Sequence, residues 1–488
     1  MNSYQLVREE PVFPQSSVYA TNPCLARESW FTNETRHPFI TFNQKETKPQ
    51  IKPLEFDKLV STMRSTLEEF PDVRTGSNTL YSMVDAGLSA FSIFFMQSPS
   101  FSGHQKLMKL KKGRSNAETL FGVHKIPSDN QTRNLLDGVS PSYLTPVFTT
   151  IIKELDSCGH LDEFRSINND LLVPFDGTDY FSSQKISCAN CSTQEHKNGT
   201  VTYSHKAVTP VIVAPGNNKV INLPPEFIVP QDGHDKQDSE NAAAKRWLKQ
   251  HGATYKKLGC TICGDDLYSN QPLCEAILGA GFNFVLVCKP GTHKTLYKRV
   301  AELEQEGKVE TITVKYYRDC EHYKTDTYRF VSQVPVRDSD DALLVNWCEL
   351  TTTLVDGTII FKNAFITNHL ITRENVKEVV IAGRTRWKVE NENNNTLKTK
   401  GYHLEHNFGH GDQYLSSMML TFNLLAHLFH TILELVDDNY RLLRQTLPTR
   451  KTFFDDIRAL TRYVCFESWD HLLTFMIESL EIQGADTS

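Results

Sequence analysis

Three short stretches of this chain end in acids in a way that suits metal-ion chemistry. Leu171-Leu172-Val173-Pro174-Phe175 runs into Asp176-Gly177-Thr178, and Gly259-Cys260-Thr261-Ile262-Cys263-Gly264 runs into Asp265-Asp266-Leu267-Tyr268. An apolar run that stops at an acid is what a buried strand looks like where it surfaces at its C-terminal end. A third carboxylate, Glu390, closes Arg386-Trp387-Lys388-Val389-Glu390. Three carboxylates at the ends of separated elements suit a pair of divalent cations held over one phosphodiester. All-oxygen ligands favour Mg2+ or Mn2+ over softer ions. Arg386 lies one helical turn before Glu390 and on its face, so it is placed to neutralise phosphate charge or to pair with Glu390.

A second set of residues has metal-ligand spacing of another kind. Cys188-Ala189-Asn190-Cys191 is followed by His196 and His205. Two thiolates two residues apart in a tight turn can face one tetrahedral ion, so Zn2+ is a candidate cofactor held by Cys188, Cys191 and His205. His196 competes with His205, no fourth ligand is evident, and the plainer reading is two free thiols on a hairpin. Cys260 and Cys263 lie inside the strand before Asp265, where residues three apart face opposite sides, so they read as buried packing.

Composition narrows the class. Hydrophobic residues make up 39% and charged residues 23% of 488 residues, as in ordinary globular proteins. The formal net charge of −6 does not mark a nucleic-acid binder, so any such binding must come from local basic surface. Candidates are the run Lys106–Arg114 with Lys109 and Lys111, then Arg133, Lys398 and Lys400. Trp347 and Trp387 are candidates for stacking on an unpaired base, with buried packing the weightier alternative. Eleven cysteines without an N-terminal secretion signal suggest reduced thiols and a cytoplasmic protein. The apolar run Tyr414–Val436 is broken by Asn423, His427, His430 and Glu434, so it reads as a buried helix and not a membrane span.

The elements that must position these residues follow in order. Residues 1–50 are polar and aperiodic and read as a poorly ordered arm. Residues 51–165 carry helical periodicity and form a candidate DNA-binding region. Strands, helix, strand, helix and strand over 166–290 predict a mixed α/β sheet, with the knuckle at 188–205. A β-rich block at 291–366 looks inserted. Residues 367–412 return to the sheet and carry Glu390 on a helix over Arg386–Asn391, followed by the Asn-rich stretch Asn391–Asn395. His406, Asn407, His410 and Asp412 form a polar cluster with no assigned chemistry. Residues 413–488 are helical again.

At Asp176-Gly177-Thr178, Asp265-Asp266-Leu267-Tyr268 and Arg386-Trp387-Lys388-Val389-Glu390 the chain resembles the DDE transposases of bacterial insertion sequences, in the insertion-sequence-four group. Ile126-Pro127-Ser128-Asp129-Asn130-Gln131 is similar to a segment found before the catalytic domain of such enzymes. The resemblance implies an RNase H-like fold with a β-rich insertion between the second and third acids, flanked by helical regions. It implies a triad of Asp176, Asp265 and Glu390 holding two Mg2+ or Mn2+ ions, with Asp265 preferred to Asp266 because Tyr268 follows at the family's spacing. Arg386 and Glu390 keep the family's Arg-to-Glu interval. The family's Tyr is replaced by Gly383 and its Lys by Leu397, so contact with DNA-end phosphate falls to Lys398 or Lys400. The expected function is binding of double-stranded DNA, both transposon ends and target, followed by strand cleavage and strand transfer in a synaptic homodimer. The expected location is the bacterial cytoplasm, at the nucleoid when DNA-bound. A nuclease without strand transfer and an inactive DNA-binding protein are the alternatives.

Overall fold

A helical segment comes first: α1 (Phe56–Glu68), α2 (Met83–Phe95), α3 (Phe101–Lys109), α4 (Lys111–Phe121), α5 (Asp129–Asp137) and α6 (Thr145–Ser157). The computed structural model describes residues 53–75, 79–230, 238–317 and 323–482. These belong to one unit, Ile51–Ser488. The arm expected at 1–50 lies outside the described residues. Helix α3 was not apparent from periodicity; Ser100 starts it by accepting a hydrogen bond from the Gly103 amide.

Seven strands follow: β1 (Leu171–Pro174), β2 (Gly177–Ser183), β3 (Ser192–Glu195), β4 (Val201–Val208), β5 (Val211–Ala214), β6 (Asn217–Asn222) and β7 (Glu226–Ile228). Then come α7 (Glu240–Tyr255), β8 (Cys260–Gly264), α8 (Gln271–Gly279), β9 (Asn283–Val287) and α9 (Lys294–Gln305). The block at 291–366 supplies β10 (Glu310–Tyr317), β11 (Tyr323–Pro335), β12 (Leu344–Leu354) and β13 (Ile359–Thr367). The chain closes with α10 (Val376–Thr385), α11 (Asn395–Thr399), α12 (Leu415–Val436), α13 (Asp438–Thr446), α14 (Arg450–Tyr463) and α15 (Trp469–Ser479).

The main sheet runs β10-β11-β12-β13-β9-β8-β1-β5-β6. Strands β1, β8 and β9 are parallel, whereas β5 joins β1 and β6 joins β5 antiparallel. Three antiparallel strands continued by two parallel ones is the RNase H-like arrangement, and the fold is of that class. The β-rich block adds to this sheet: β13 pairs antiparallel with β9, and β12, β11 and β10 continue outward as a meander. A smaller sheet, β2-β4-β3 with β7 on β4, leaves the main one immediately after Asp176.

Alternation along the central strands divides their side chains between two cores. Leu172, Val213, Cys263 and Val285 face α10 through Val376, Val379 and Val380. Leu171, Val173, Ile212, Ile262 and Phe284 join the larger core with Trp247 and the helical layer. That layer unites both helical regions: the Phe56 and Trp469 rings stack at 4.8 Å, and the Phe91 and Phe429 rings meet at 5.0 Å. Helix α12 is long and apolar enough to cross a bilayer, and 89% of its most apolar window is buried within the protein. Two of its polar residues bond to the segment before it: His430 Nδ1 meets the Tyr402 hydroxyl at 2.6 Å, and Asn423 donates to the Tyr402 carbonyl at 3.0 Å.

Near the third acid the local structure departs from expectation. Helix α10 ends at Thr385, and Glu390 stands on a π-helical turn, Val389–Asn394, that passes directly into α11. The Asn-rich stretch 391–395 is therefore helical. Its buried amides explain this: Asn222 donates to Asn393 at 2.7 Å, and Asn393 donates to Asn394 at 3.1 Å.

Candidate active site

The parallel pairing of β1 with β8 sets the first two acids side by side. Leu171 pairs with Cys260 and so on to Pro174 with Cys263; Asp176 and Asp265 each follow two residues beyond that last pair. The Phe175 amide continues the ladder by donating to the Cys263 carbonyl at 2.8 Å. Asp176 is half-buried, and its carboxyl is pushed up to about 7, first by burial and then by the charges of Glu240, Glu390 and Asp265, against the pull of Arg386. The parallel strands place Asp176 and Asp265 at the same edge of the sheet, and the charges of Asp265, Glu390 and Arg386 all act on the Asp176 carboxyl there.

The adjacent acid has a different task. Asp266 accepts hydrogen bonds from the Lys289 amide and the Thr292 hydroxyl, both at 2.7 Å, and holds the turn after β9. Asp265 accepts only from the Leu267 amide at 2.9 Å among the described residues, which leaves lone pairs free for a ligand. Glu390 is exposed. Arg386 makes no side-chain hydrogen bond or ion pair among the described residues, so no bridge ties it to Glu390 there.

Two neighbours were not anticipated. Glu240, the first residue of α7, accepts a hydrogen bond from the buried Tyr268 hydroxyl at 3.2 Å. Burial raises its carboxyl, with Asp265 adding to the effect. Its closeness explains Gly177, since a Cβ there would overlap the Glu240 carboxylate. Asn394 donates to Asp176 Oδ2 at 3.2 Å and is itself held by the Thr209 hydroxyl at 3.1 Å. A helix-initial acid and an Asn run are common in any sequence, so neither carried a readable signal.

The basic and aromatic candidates are scattered. Lys109 and Lys111 are exposed where α3 meets α4. Arg133, on α5, lays its guanidinium over Phe101 at 5.1 Å with Nε buried, so it packs inward. Lys398 pairs with Glu405 at 3.0 Å, and Lys400 is exposed. Leu397, at the family's lysine position, is fully buried. Trp387 is 44% exposed beside the Arg386–Glu390 turn, with the Lys388 ammonium 5.2 Å above its ring. Trp347 is 1% exposed, which removes it as a stacking platform.

The zinc candidates converge as a separate cluster. Cys188, Cys191 and His205 meet, and His410, from the loop before α12, joins them. His196 does not: it is exposed and bonds the Thr202 hydroxyl at 2.7 Å. His205 is buried, and its Nε2 faces both sulfurs and His410 Nδ1. Cys260 and Cys263 are buried in β8.

No protein-family model matches the chain, and no curated protein sequence matches it either. Among solved structures it is similar to a piggyBac transposase in a synaptic complex with hairpin DNA. That likeness has 13% identity and a TM-score of 0.37, over 89% of this chain and 81% of that one. So loose a likeness carries no weight for function beside the geometry of the acids.

Proposed function

We propose that the chain is a DDE-type transposase, a divalent-metal-dependent enzyme that cuts DNA at the ends of a mobile element and joins the freed ends to a new site. The observation that carries this reading is the register that sets Asp176 and Asp265 at adjacent ends of β1 and β8 in an RNase H-like sheet, with the charges of Glu390 and Arg386 acting on Asp176. The donor set fits two Mg2+ or Mn2+ ions: the candidate ligands are carboxylate oxygens, and their mutual repulsion is what a cation relieves. Asp176, Asp265 and Glu390 would hold those ions. When bound, they supply Lewis-acid activation of a water or a 3′-hydroxyl and neutralise the leaving oxygen.

The chain's own residues do the rest. Asn394 fixes the rotation of the Asp176 carboxylate, and Tyr268 keeps Glu240 turned aside. Arg386 has free donors for a non-bridging phosphate oxygen. Trp387 offers an exposed ring one residue away for an unpaired base. Lys398, Lys400, Lys109 and Lys111 supply backbone charge, with the Lys398–Glu405 pair opening as DNA binds. The Arg386-to-Glu390 interval and the β-rich segment between the second and third acids favour the insertion-sequence-four group. The partners in this reading are transposon ends and target DNA, gathered by a synaptic homodimer in the bacterial cytoplasm, at the nucleoid when DNA-bound.

The test is Asp176→Asn assayed on element-end duplexes with Mn2+. Cleavage and joining of pre-cut ends are expected to fall by at least about a thousandfold, with DNA binding retained. Cleavage without joining by the unaltered protein would instead identify a nuclease. Wild-type cleavage by the variant would remove the assignment.

A further inference from the structure

One ligand atom from each of Cys188, Cys191, His205 and His410 lies within 4.8 Å of those of the other three. The sulfurs are 3.6 Å apart, each is 3.4 or 3.5 Å from His205 Nε2, and that nitrogen is 3.1 Å from His410 Nδ1. These four distances match edges of a tetrahedron of fitting size, and the two between His410 and the sulfurs are within 4.8 Å. Zinc bonds of about 2.3 Å to sulfur and about 2.05 Å to nitrogen require edges of about 3.8 Å for S···S, about 3.5 Å for S···N and about 3.3 Å for N···N. The sulfurs are too far apart for a disulfide, and both cysteines are free. His410 Nε2 is buried without a partner among the described residues, so the ring's polar contact is made through Nδ1, inside the cluster.

We propose that Cys188, Cys191, His205 and His410 form a structural zinc site that pins the small sheet to the loop preceding α12. Two thiolates and two neutral imidazoles make a closed set with no position left for water, the pattern of a structural site. An apolar shell encloses it: the Phe181 ring stands edge-on to His410 at 4.2 Å, and Tyr180 stacks on His205 at 5.7 Å. The two partners are already aligned by other contacts. Asn190, between the cysteines, donates to the Gln413 carbonyl at 2.8 Å. The loop carrying His410 is fixed by Asp137, whose carboxylate accepts from the amides of Asp412, Gln413, Tyr414 and Leu415 at 2.8–3.1 Å. Strand β2 starts at Gly177, beside Asp176, and the His410 loop follows the turn bearing Glu390. Zinc therefore ties together chain segments leaving the first and third acids, without touching either carboxylate.

Zinc content is measured on the full-length protein purified under reducing conditions, and on Asp176→Asn so that carboxylate-bound metal does not count. One zinc per chain is expected in both, and equally in His196→Ala. His410→Ala and Cys191→Ser are expected to bind zinc at least about tenfold more weakly. His410→Cys guards against simple misfolding. With Co2+ in place of zinc it is expected to keep tetrahedral visible absorption while the sulfur charge-transfer band grows by about half, as two thiolates become three. Full zinc affinity in His410→Ala, an unchanged charge-transfer band in His410→Cys, or a metal-free protein with oxidised Cys188 and Cys191 would each overturn the proposal. None of these readouts depends on DNA cleavage.

Discussion

At the scale of single residues, the site is decided by how closely carboxylates are allowed to approach. Asp176 is pushed up to about 7 because burial and three acids act on it together, with one arginine in opposition. Gly177 is the residue that permits this crowding, since only a missing Cβ leaves room for Glu240. Gly177→Ala is expected to cost about 2 kcal/mol of stability by overpacking. Adding Glu240→Ala is expected to return most of that loss, because the obstruction is a side chain and not backbone. Urea unfolding of the two single variants and the double variant checks this; additive losses would mean that the two residues do not meet. The zinc cluster illustrates the same point with other chemistry: His410 matters only through its distance from His205.

At the scale of elements, helices far apart in sequence are joined by buried polar clamps as well as by apolar faces. Asn116 on α4 donates to the Thr461 and Val464 carbonyls, both at 2.7 Å, and accepts from the Phe466 amide at 2.8 Å. The two carbonyls are ones that the end of α14 leaves without helical partners, and the Phe466 amide lies just beyond it. Asn116→Ala is expected to destabilise by about 3 kcal/mol, since several buried groups lose their partner at once. It is expected to leave the metal affinity of the acids unchanged. A loss below about 0.5 kcal/mol in chemical unfolding would show that α14 is held by its apolar face alone. The π-helical turn after α10 has a comparable role, directing Glu390 outward and Asn394 inward over a few residues.

At the scale of the molecule, one core shared by the first six and last four helices makes stability a property of the whole described unit. Several of its buried groups are histidines. Burial holds His104 and His427 down to about 3 and His251 down to about 4, so all three are neutral in the folded protein. In the unfolded chain they take up protons below about pH 6.5. Their folded values are depressed, so the unfolded state binds more protons. Their contribution is fully present above about pH 6.5 and is lost as the pH falls, down to about 4 for His251 and about 3 for His104 and His427. Each removes up to about 1.4 kcal/mol of stability per pH unit in its window. The unfolding midpoint is expected to drop steeply below about pH 6 and less steeply in His104→Gln, whose amide can still reach Ser92 and Ser98. Equal slopes for the two proteins would contradict this account of His104.

Much of this was legible in the chain alone. Apolar runs ending at Asp176 and Asp265, the 3.6-residue period of α1 and α12, and the turn before Glu390 are local patterns, written within a few residues of one another. The mixed α/β class follows from their order. The sequence could also say that Cys188 and Cys191 suited a metal, because their spacing is itself the geometry of a knuckle. What it could not say is which distant groups arrive beside them. Glu240 beside Asp176, Asn394 holding it, His410 completing the cysteine cluster and Asn116 capping α14 all depend on long-range packing. Sheet register and helix docking set those distances, and neither leaves a local trace. The sequence places the β-rich block between the second and third acids, but no residue within it reveals that β13 pairs with β9. Short-range periodicity is determined by each residue's own preferences, whereas contact across the fold is determined by every element at once.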